Sequence, residues 1–315
     1  MSFPEKKHNL PADGPDQEHK GTADDIRLSS QIGEEERPKD LLRRLVRENR
    51  LAVFSAVVIL AFVLGAVFAP LIAPYAPDEM DILNRLSSPS AVHIFGTDEG
   101  GRDVFSRMLY GSRASLLIGV VPTLMSLVGG TFVGLLAGYH GGVIDTVIMR
   151  LADIMLAFPS MLLAMVILYT LGGGLINVFL TLAMVGWASV ARMTRAEAMR
   201  LKNTEFVESA RVSGVGRVRI ILRHLLPNCF PMLTVLFTLN IPASILTESS
   251  LSFLGLGIQP PHASWGLMIN TGRQYLFNAP WLCFIPGAAI MLIVLAFNFL
   301  GDGLRDVLDP QNRSS

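Results

Sequence analysis

Charged side chains are scarce in this sequence. They make up 17% of the 315 residues, hydrophobic residues make up 51%, and the mean hydropathy is +0.46. Soluble globular domains carry about 25% charged residues. Long stretches contain no Asp, Glu, Lys or Arg at all. The shortage excludes a disordered protein and an ordinary cytosolic enzyme, and it favours a membrane protein that crosses the bilayer several times.

The sequence also lacks the marks of an enzyme or a metal site. No GxxxxGKS/T phosphate loop, HExxH pair or GxSxG elbow occurs in it. Its two cysteines, Cys229 and Cys283, are too few and too far apart for a disulfide framework, a metal site or a redox motif. The 26 basic and 26 acidic side chains balance, which gives no sign of nucleic-acid binding. We therefore expect no catalytic residue, metal or cofactor in this chain and no nucleic-acid partner.

Six apolar runs are long enough to cross a bilayer, which takes about 20 residues. They cover residues 51–73, 114–138, two runs within 150–190 that Gly172–Gly174 separate, 228 to at least 248, and 280–301. This pattern predicts an all-α polytopic protein with six transmembrane helices and both termini on one side.

Small residues and prolines mark these spans. Glycine recurs every four residues from Gly130 to Gly142, a spacing that lets helices pack closely. Proline kinks a helix, and five prolines lie in or near spans: Pro122, Pro159, Pro231, Pro242 and Pro286.

The distribution of charge sets the orientation, because basic residues concentrate in cytoplasmic loops. Residues 37–50 hold six basic side chains against two acidic ones, with leucines at helical spacing, and predict an amphipathic surface helix. Residues 192–224 hold eight Lys or Arg against three Glu, whereas residues 74–110 hold six acidic side chains against three basic ones. We expect both termini in the cytoplasm.

Four segments follow from this pattern. Residues 1–36 are polar and predict a disordered cytoplasmic tail. Residues 37–110 would contain the amphipathic helix, the first transmembrane helix and an outer segment. Residues 111–310 would form the transmembrane core with a cytoplasmic loop at 204–227, and residues 311–315 a short tail.

Two sets of charges interrupt the apolar zones. Arg150 and Asp153 can pair on one helical face at the membrane interface. Glu248 lies within the fifth run, where a carboxylate costs about 2.5–3.5 kcal/mol on insertion scales and points to function. Glu248 is therefore a candidate for the translocation pathway, and the alternative is a position at the outer interface where the helix ends.

The cytoplasmic loop carries the most specific signal. It predicts a helix, a turn at Gly214 and a second, basic amphipathic helix over 217–226. It resembles the EAA loop of bacterial ABC importer permeases, which reads E-A-A, three residues, G, nine residues, I, one residue, L-P. Ser209 replaces the middle alanine and His224 the isoleucine, and the matching residues are Glu208, Ala210, Gly214, Leu226 and Pro227.

Three further segments strengthen the resemblance. Residues 95–103, FGTDEGGRD, are similar to the GTDxxGRD segment of the peptide/nickel permease subfamily. Residues 248–257 and 301–306 also match that subfamily. Over residues 40–310 the sequence resembles the C-type permeases of oligopeptide and dipeptide importers.

The resemblance implies a type I ABC importer permease fold in the bacterial inner membrane, in contact with membrane lipid. Such a subunit forms half of the pathway beside a second, B-type permease. Two ATP-binding subunits hold ATP and Mg, and a periplasmic or lipid-anchored binding protein delivers the cargo. The resemblance assigns coupling to the ATPases to Glu208, Ser209, Ala210, Gly214, Leu226 and Pro227. It also suggests that the loop around Ser264–Gly266 reaches toward the binding protein.

Other functions remain open. Relatives with the same architecture import nickel, opines or glutathione, and the binding protein largely sets the cargo. An ion-coupled secondary carrier would show inverted repeats, broken helices and intramembrane acids, of which one acid is present. A membrane scaffold or sensor partner would explain the basic loop but not the combined motifs.

Overall fold

The computed structural model describes residues 49–259 and 262–308, and these ranges are almost entirely helical. A short 3-10 turn lies at Ile82–Asn84, another at Arg273–Tyr275, and a π-helical turn at Ile221–Leu225. The all-α prediction is confirmed. The helices are α1 (Arg50–Val67), α2 (Ala69–Ile72), α3 (Val104–His140), α4 (Gly142–Ala157), α5 (Ser160–Leu171), α6 (Leu175–Leu201), α7 (Glu205–Val212), α8 (Arg217–Ile220), α9 (Leu226–Phe253), α10 (Trp265–Gly272) and α11 (Trp281–Leu308).

Five helices are long and apolar enough to cross a membrane by themselves: α1, α3, α6, α11 and the continuous helix that runs from Arg217 through α9. The pair α4 and α5 makes a sixth span if it is counted as one, but it is bent by 92°. The bend lies at Phe158–Pro159, where proline disfavours helix in the residue before it. The prediction of six spans agrees with this architecture, with the third span broken.

Several helices extend beyond the apolar runs that predicted the spans. Helix α3 begins at Val104 rather than near 114, so the predicted segment boundary at residue 110 falls inside it. Helix α4 begins at Gly142 rather than near 150, and α6 continues to Leu201. Apolar runs mark only the stretch that suits lipid, whereas these helices continue into polar sequence at their ends. The predicted tails 1–36 and 311–315, and nearly all of the amphipathic segment 37–50, lie outside the described residues.

The most extensive contact between two described helices joins α3 to α6, and glycines of α3 lie within it. A methyl group on Gly134 would lie 2.5 Å from the carbonyl oxygen of Ala191, and one on Gly130 would lie 2.7 Å from that of Trp187. Gly138 meets Ala198 and Arg195 in the same way. Glycine at this spacing lets two helix backbones touch.

The bundle has two distinct ends. The segment between α2 and α3, residues 74–103, is named the platform here. The platform lies at the same end of the bundle as the C-terminal end of α1 and the starts of α3 and α11. A hydrogen bond joins it to α11, in which the Trp281 indole N–H donates to Thr97 O at 3.3 Å. At the opposite end of α3 lies the EAA loop, residues 204–227, beside the last turn of α6.

Gly134→Ala should destabilise the protein, because the added methyl group pushes α6 away from α3. We expect the free energy of unfolding to fall by about 1–3 kcal/mol, as for other overpacked interfaces. Gly129→Ala on the same helix is the matched control, since no atom lies within 4 Å of its added methyl group. The measurement is the thermal midpoint of the purified protein in detergent. Equal midpoints for both variants would contradict the close helix contact.

Candidate functional site

Helix α7 lies at the start of the EAA loop, and a glycine turn ends this helix. The N–H of Val215 donates to the carbonyl of Ala210 at 3.1 Å, and that of Gly214 donates to Arg211 at 3.1 Å. Gly214 has φ +79, the left-handed conformation that glycine adopts without cost. This pattern is a Schellman motif, which satisfies the last carbonyls of a helix. Gly214 therefore reverses the chain at the end of α7, as predicted.

Buried side chains fix this loop to the bundle. Val207 of α7 is fully buried, and Val215 packs against the same apolar cluster. The Lys202 ammonium, just before α7, donates to Gly138 O at 3.0 Å at the end of α3. The loop is thus held to α3, α6 and α9 together; the buried residues of its cluster are Leu135, Ala198, Leu201, Val207, Ile220, Ile221, Leu225, Cys229 and Leu233.

The predicted coupling residues divide into an exposed and a half-buried set. Glu208 and Ser209 are exposed on α7, and Gly214 is exposed in the turn. Ala210 is half-buried and supplies the carbonyl that closes the turn. Leu226 and Pro227 belong to the helix that follows, where Leu226 packs against the apolar cluster and Pro227 is exposed. One loop thus carries all six residues, on two helices rather than on one face.

A π turn precedes Pro227. The Leu226 N–H donates to Ile221 O, five residues back. A proline ring clashes with the carbonyl four residues before it, here that of Arg223, and the wider turn accommodates the ring. The predicted amphipathic helix over 217–226 and the predicted span from 228 are parts of one helix, which runs without a break from Arg217 to Phe253.

The exposed surface of the EAA loop is basic and partly apolar. Arg217, Arg219 and Arg223 are exposed, and among the described residues no carboxylate lies within 4.0 Å of them. A cleft of about 560 Å³ opens beside Gly214 between the end of α3 and Arg211. A protein partner with acidic groups can be recognised by such a surface.

The platform is built by its FGTDEGGRD segment. Asp98 Oδ1 accepts from the N–H groups of Gly100 and Arg102 at 2.8 and 3.0 Å, and Asp98 Oδ2 accepts from Arg102 Nε at 2.7 Å. Asp103 accepts from Ser106 N at 2.8 Å, which caps the start of α3, and it also lies 3.0 Å from His93 Nδ1. The motif therefore folds the chain into a fixed loop on the first turn of α3.

Glu248 is fully buried near the end of α9. Its Oε1 accepts from Ser252 Oγ at 2.6 Å and from Ser264 Oγ at 3.3 Å. Ser264 Oγ also accepts from Leu267 N at 3.2 Å and so caps α10. The carboxylate braces α10 against α9 and reaches no open surface in this conformation. A pathway role for Glu248 stays a prediction, without support from its position here.

Two comparisons identify the family. Residues 130–314 match a family model described as "Binding-protein-dependent transport system inner membrane component". Residues 39–89 match one described as "N-terminal TM domain of oligopeptide transport permease C". The chain belongs to this family of inner-membrane permeases.

Curated relatives align with most of this chain. The chain is 44% identical over 269 residues to a dipeptide transport system permease protein of Alkalihalophilus pseudofirmus, and the alignment covers 85% of this chain and 88% of the relative. It is 42% identical over 267 residues to a probable D,D-dipeptide transport system permease protein of Escherichia coli, covering 85% and 90%. An oligopeptide transport system permease protein of Bacillus subtilis is 38% identical over 275 residues, covering 87% and 90%.

Ser264, Trp265 and Gly266 are all buried, so these three residues offer no surface to a partner. A contact of the loop around them with a binding protein stays a prediction. The Trp265 ring packs edge-on against Phe62 with centroids 5.4 Å apart, and its indole N–H donates to Met108 O at 3.2 Å. A tryptophan gains more from such burial than from exposure to water.

The charge pairs between α4 and α6 were not predicted. Asp153 lies 2.7 Å from Arg192 but 4.0 Å from Arg150, its predicted partner. Asp145 makes a two-pronged pair with Arg195, one oxygen lying 2.6 Å from Nη2. Partners that lie 39 and 50 residues apart leave no local spacing signal. Among the described residues no group of three His, Cys, Asp or Glu is arranged to hold a metal ion.

Glu248→Ala should loosen α10, because it removes the acceptor of two hydroxyl groups. We expect a loss of about 1–3 kcal/mol in the free energy of unfolding and lower transport, with Glu248→Gln close to wild type. Thermal midpoints of the purified permease and peptide uptake are the measurements. An unchanged thermal midpoint for Glu248→Ala would show that Glu248 does not brace α10 against α9.

Proposed function

We propose that this permease forms half of the translocation pathway of an ATP-driven importer for oligopeptides or dipeptides. The relatives named above are dipeptide and oligopeptide permeases, and they align over 85–87% of this chain. The observation that carries the coupling role is the EAA loop, whose exposed helix α7 is anchored by buried Val207 to the ends of three membrane helices. Force applied to α7 therefore acts on α3, α6 and α9 at once.

The chain itself is non-catalytic in this proposal. Two ATP-binding subunits hold ATP and Mg, and the EAA loop docks on them through Glu208, Ser209, Ala210, Gly214, Leu226 and Pro227. A ligand shifts a conformational equilibrium only if it binds the two states unequally. In this proposal that ligand is the ATP-bound pair of ATPase subunits, which contacts the basic surface of the EAA loop.

The remaining partners follow from the same proposal. A second, B-type permease completes the pathway, and a periplasmic or lipid-anchored binding protein delivers the peptide. The EAA end faces the cytoplasm together with both termini, and the platform faces outward, since basic segments stay inside. Large apolar side chains are exposed on α4 and α5, among them Leu151, Leu162 and Val166, and they contact bacterial inner-membrane lipid or the second permease.

Nickel, opine or glutathione import would use the same architecture with another binding protein. Assays of ATP hydrolysis by the assembled complex decide among the cargoes. The complex is reconstituted in nanodiscs with a purified peptide-binding protein, and ATP hydrolysis is measured with and without peptide. Hydrolysis that rises with the peptide-loaded protein supports the proposal. Ion-driven uptake by the permease alone in liposomes would replace it with the secondary carrier.

Gly214→Asp should uncouple transport from ATP hydrolysis. A side chain at φ +79 is strained, so the end of α7 shifts while the buried anchor remains. Gly216→Asp is the matched control, since Gly216 has φ −63 and caps α8, a position that suits aspartate. We expect peptide transported per ATP to fall at least about tenfold for the first variant and to change little for the second.

Glu208→Lys reverses a charge on the exposed face of α7 and should have the same effect as Gly214→Asp, with normal insertion and protein level. Uptake and ATPase activity are measured on the same preparation. Full uptake by either variant at normal protein level would count against the coupling assignment.

A further inference from the structure

A small polar cavity lies inside the bundle where α3, α6 and α9 meet. Its volume is about 40 Å³. Four of its lining side chains are polar: Thr123 and Ser126 of α3, and Asn240 and Ser244 of α9. Helix α6 forms the remaining wall with Gly186 and apolar side chains. The proposed function uses none of these residues.

The cavity lies deep within the membrane-spanning part of the chain. Ser126 lies midway along the apolar run 114–138, and Asn240 lies within the run that begins at 228. Bulk water does not reach polar groups in the hydrocarbon core, so each of them needs a partner inside the protein. The partners of the four polar side chains therefore decide what the cavity can hold.

The three hydroxyl groups of the cavity are left as acceptors. Thr123 Oγ1 donates to Gly119 O at 2.7 Å and lies 2.9 Å from Ser244 Oγ. Because the Thr123 proton is already donated, Ser244 donates to Thr123, and the lone pairs of Ser244 Oγ stay available. Ser126 Oγ donates to Ala183 O at 3.2 Å and can likewise still accept.

Asn240 supplies the donor. Its Nδ2 donates to Leu236 O at 2.7 Å, one turn earlier on α9. An asparagine amide has two N–H donors and an acceptor oxygen, and the Asn240 side chain makes no second hydrogen bond among the described residues. One N–H group and Oδ1 are therefore left for a ligand.

Size and charge select this ligand. Pockets for small organic molecules measure about 300–1,000 Å³, so the cavity is far too small for a peptide. No charged side chain lines it, so an ion would be buried there without a counter-charge. A water molecule needs about 10–15 Å³ and two to four polar partners, and the cavity offers both. We propose that it binds a water molecule that accepts from Asn240 Nδ2 and donates to Ser126 Oγ and Ser244 Oγ.

This water lies where the contact between α3 and α9 changes. Toward the platform the two helices touch, since a methyl group on Gly119 would lie 2.9 Å from Ile245 Cγ1. Toward the EAA loop a groove of about 740 Å³ opens between them, with Leu127, Leu233 and Phe237 in its lining. The water therefore joins α9 to α3 at the edge of their close contact.

The first test detects the water by X-ray radiolysis of the full-length permease in nanodiscs. Radiolysis turns water into hydroxyl radicals, which oxidise the side chains beside it. Leu182 is the reporter, because it lines the cavity but is only 7% exposed. Leu168 is the matched control, since it is buried in the same apolar cluster and lies outside the cavity. We expect Leu182 to be oxidised several times faster than Leu168.

The second test asks whether Ser126 and Asn240 share one ligand. We expect Ser126→Ala and Asn240→Leu each to lower the thermal midpoint by about 2–4 °C. The double variant should fall no further than the larger single shift, because both changes remove the same water. Ser126→Ala combined with Thr247→Val is the matched control, since Thr247 donates to Ala243 O of its own helix and lies outside the cavity. Its two shifts should add.

The outcomes decide the proposal. Additive shifts for Ser126→Ala and Asn240→Leu would rule out a shared water, and so would equal oxidation rates for Leu182 and Leu168. Unchanged oxidation of Leu182 in the double variant would show that water reaches it by another route, against a bound molecule. Protection of Leu182 when sodium replaces choline would identify a cation in the place of water. The inference does not rest on the proposed function, which each of these results leaves intact.

Discussion

The contact between α3 and α6 is the constraint on which the rest of the permease depends. Lipid offers no hydrophobic force to press two helices together, so close backbone packing must do it, and three glycines of α3 provide that approach. Helix α3 is 37 residues long, or about 55 Å. Its first turn holds the platform and its last turn is capped by Lys202, next to the EAA loop. One closely packed pair of helices therefore connects the platform to the EAA loop.

Rigidity along this pair determines where movement is possible. The irregular points lie elsewhere: α4 and α5 are separated by a 92° bend, and the helix from Arg217 to Phe253 widens to a π turn before Pro227 without breaking. π turns are frequent at functional sites. Under the proposed function, displacement of the EAA loop would tilt α3 with α6 as one body, while α9 adjusts at the π turn. Alternating access by rigid-body rocking would use this division between closely packed and irregular elements.

The sequence predicted what lipid and local chemistry impose. Lipid forces every backbone group in a span into helical hydrogen bonds, so apolar runs were sufficient to predict the spans, and the helix end at Gly214 follows from one residue. Contacts between distant residues were not predictable. Pro122, Pro231, Pro242 and Pro286 lie inside continuous helices, whereas Pro159 lies at the break between α4 and α5. Exposure does not separate the two outcomes, since Pro231 and Pro159 are both exposed, so the residue type alone did not predict which helix is broken. The burial of Trp265 was not predictable either, because it depends on Phe62 and Met108, which are distant in sequence.

Glu248 shows how this permease supports its outer end. Burial of a carboxyl group is costly unless it is hydrogen-bonded; here Oε1 accepts from Ser252 and Ser264, whereas Oε2 has no hydrogen-bond partner among the described residues. The bond to Ser264 holds the start of α10, which carries Trp265 into the core beside the platform. The platform itself contributes no such buried aromatic residue to the core: its large apolar side chains at Met80, Ile82, Leu83, Val92 and Ile94 are exposed. The outer end is therefore stabilised by α10 and its Trp265, while hydrogen bonds of the FGTDEGGRD segment fix the shape of the platform.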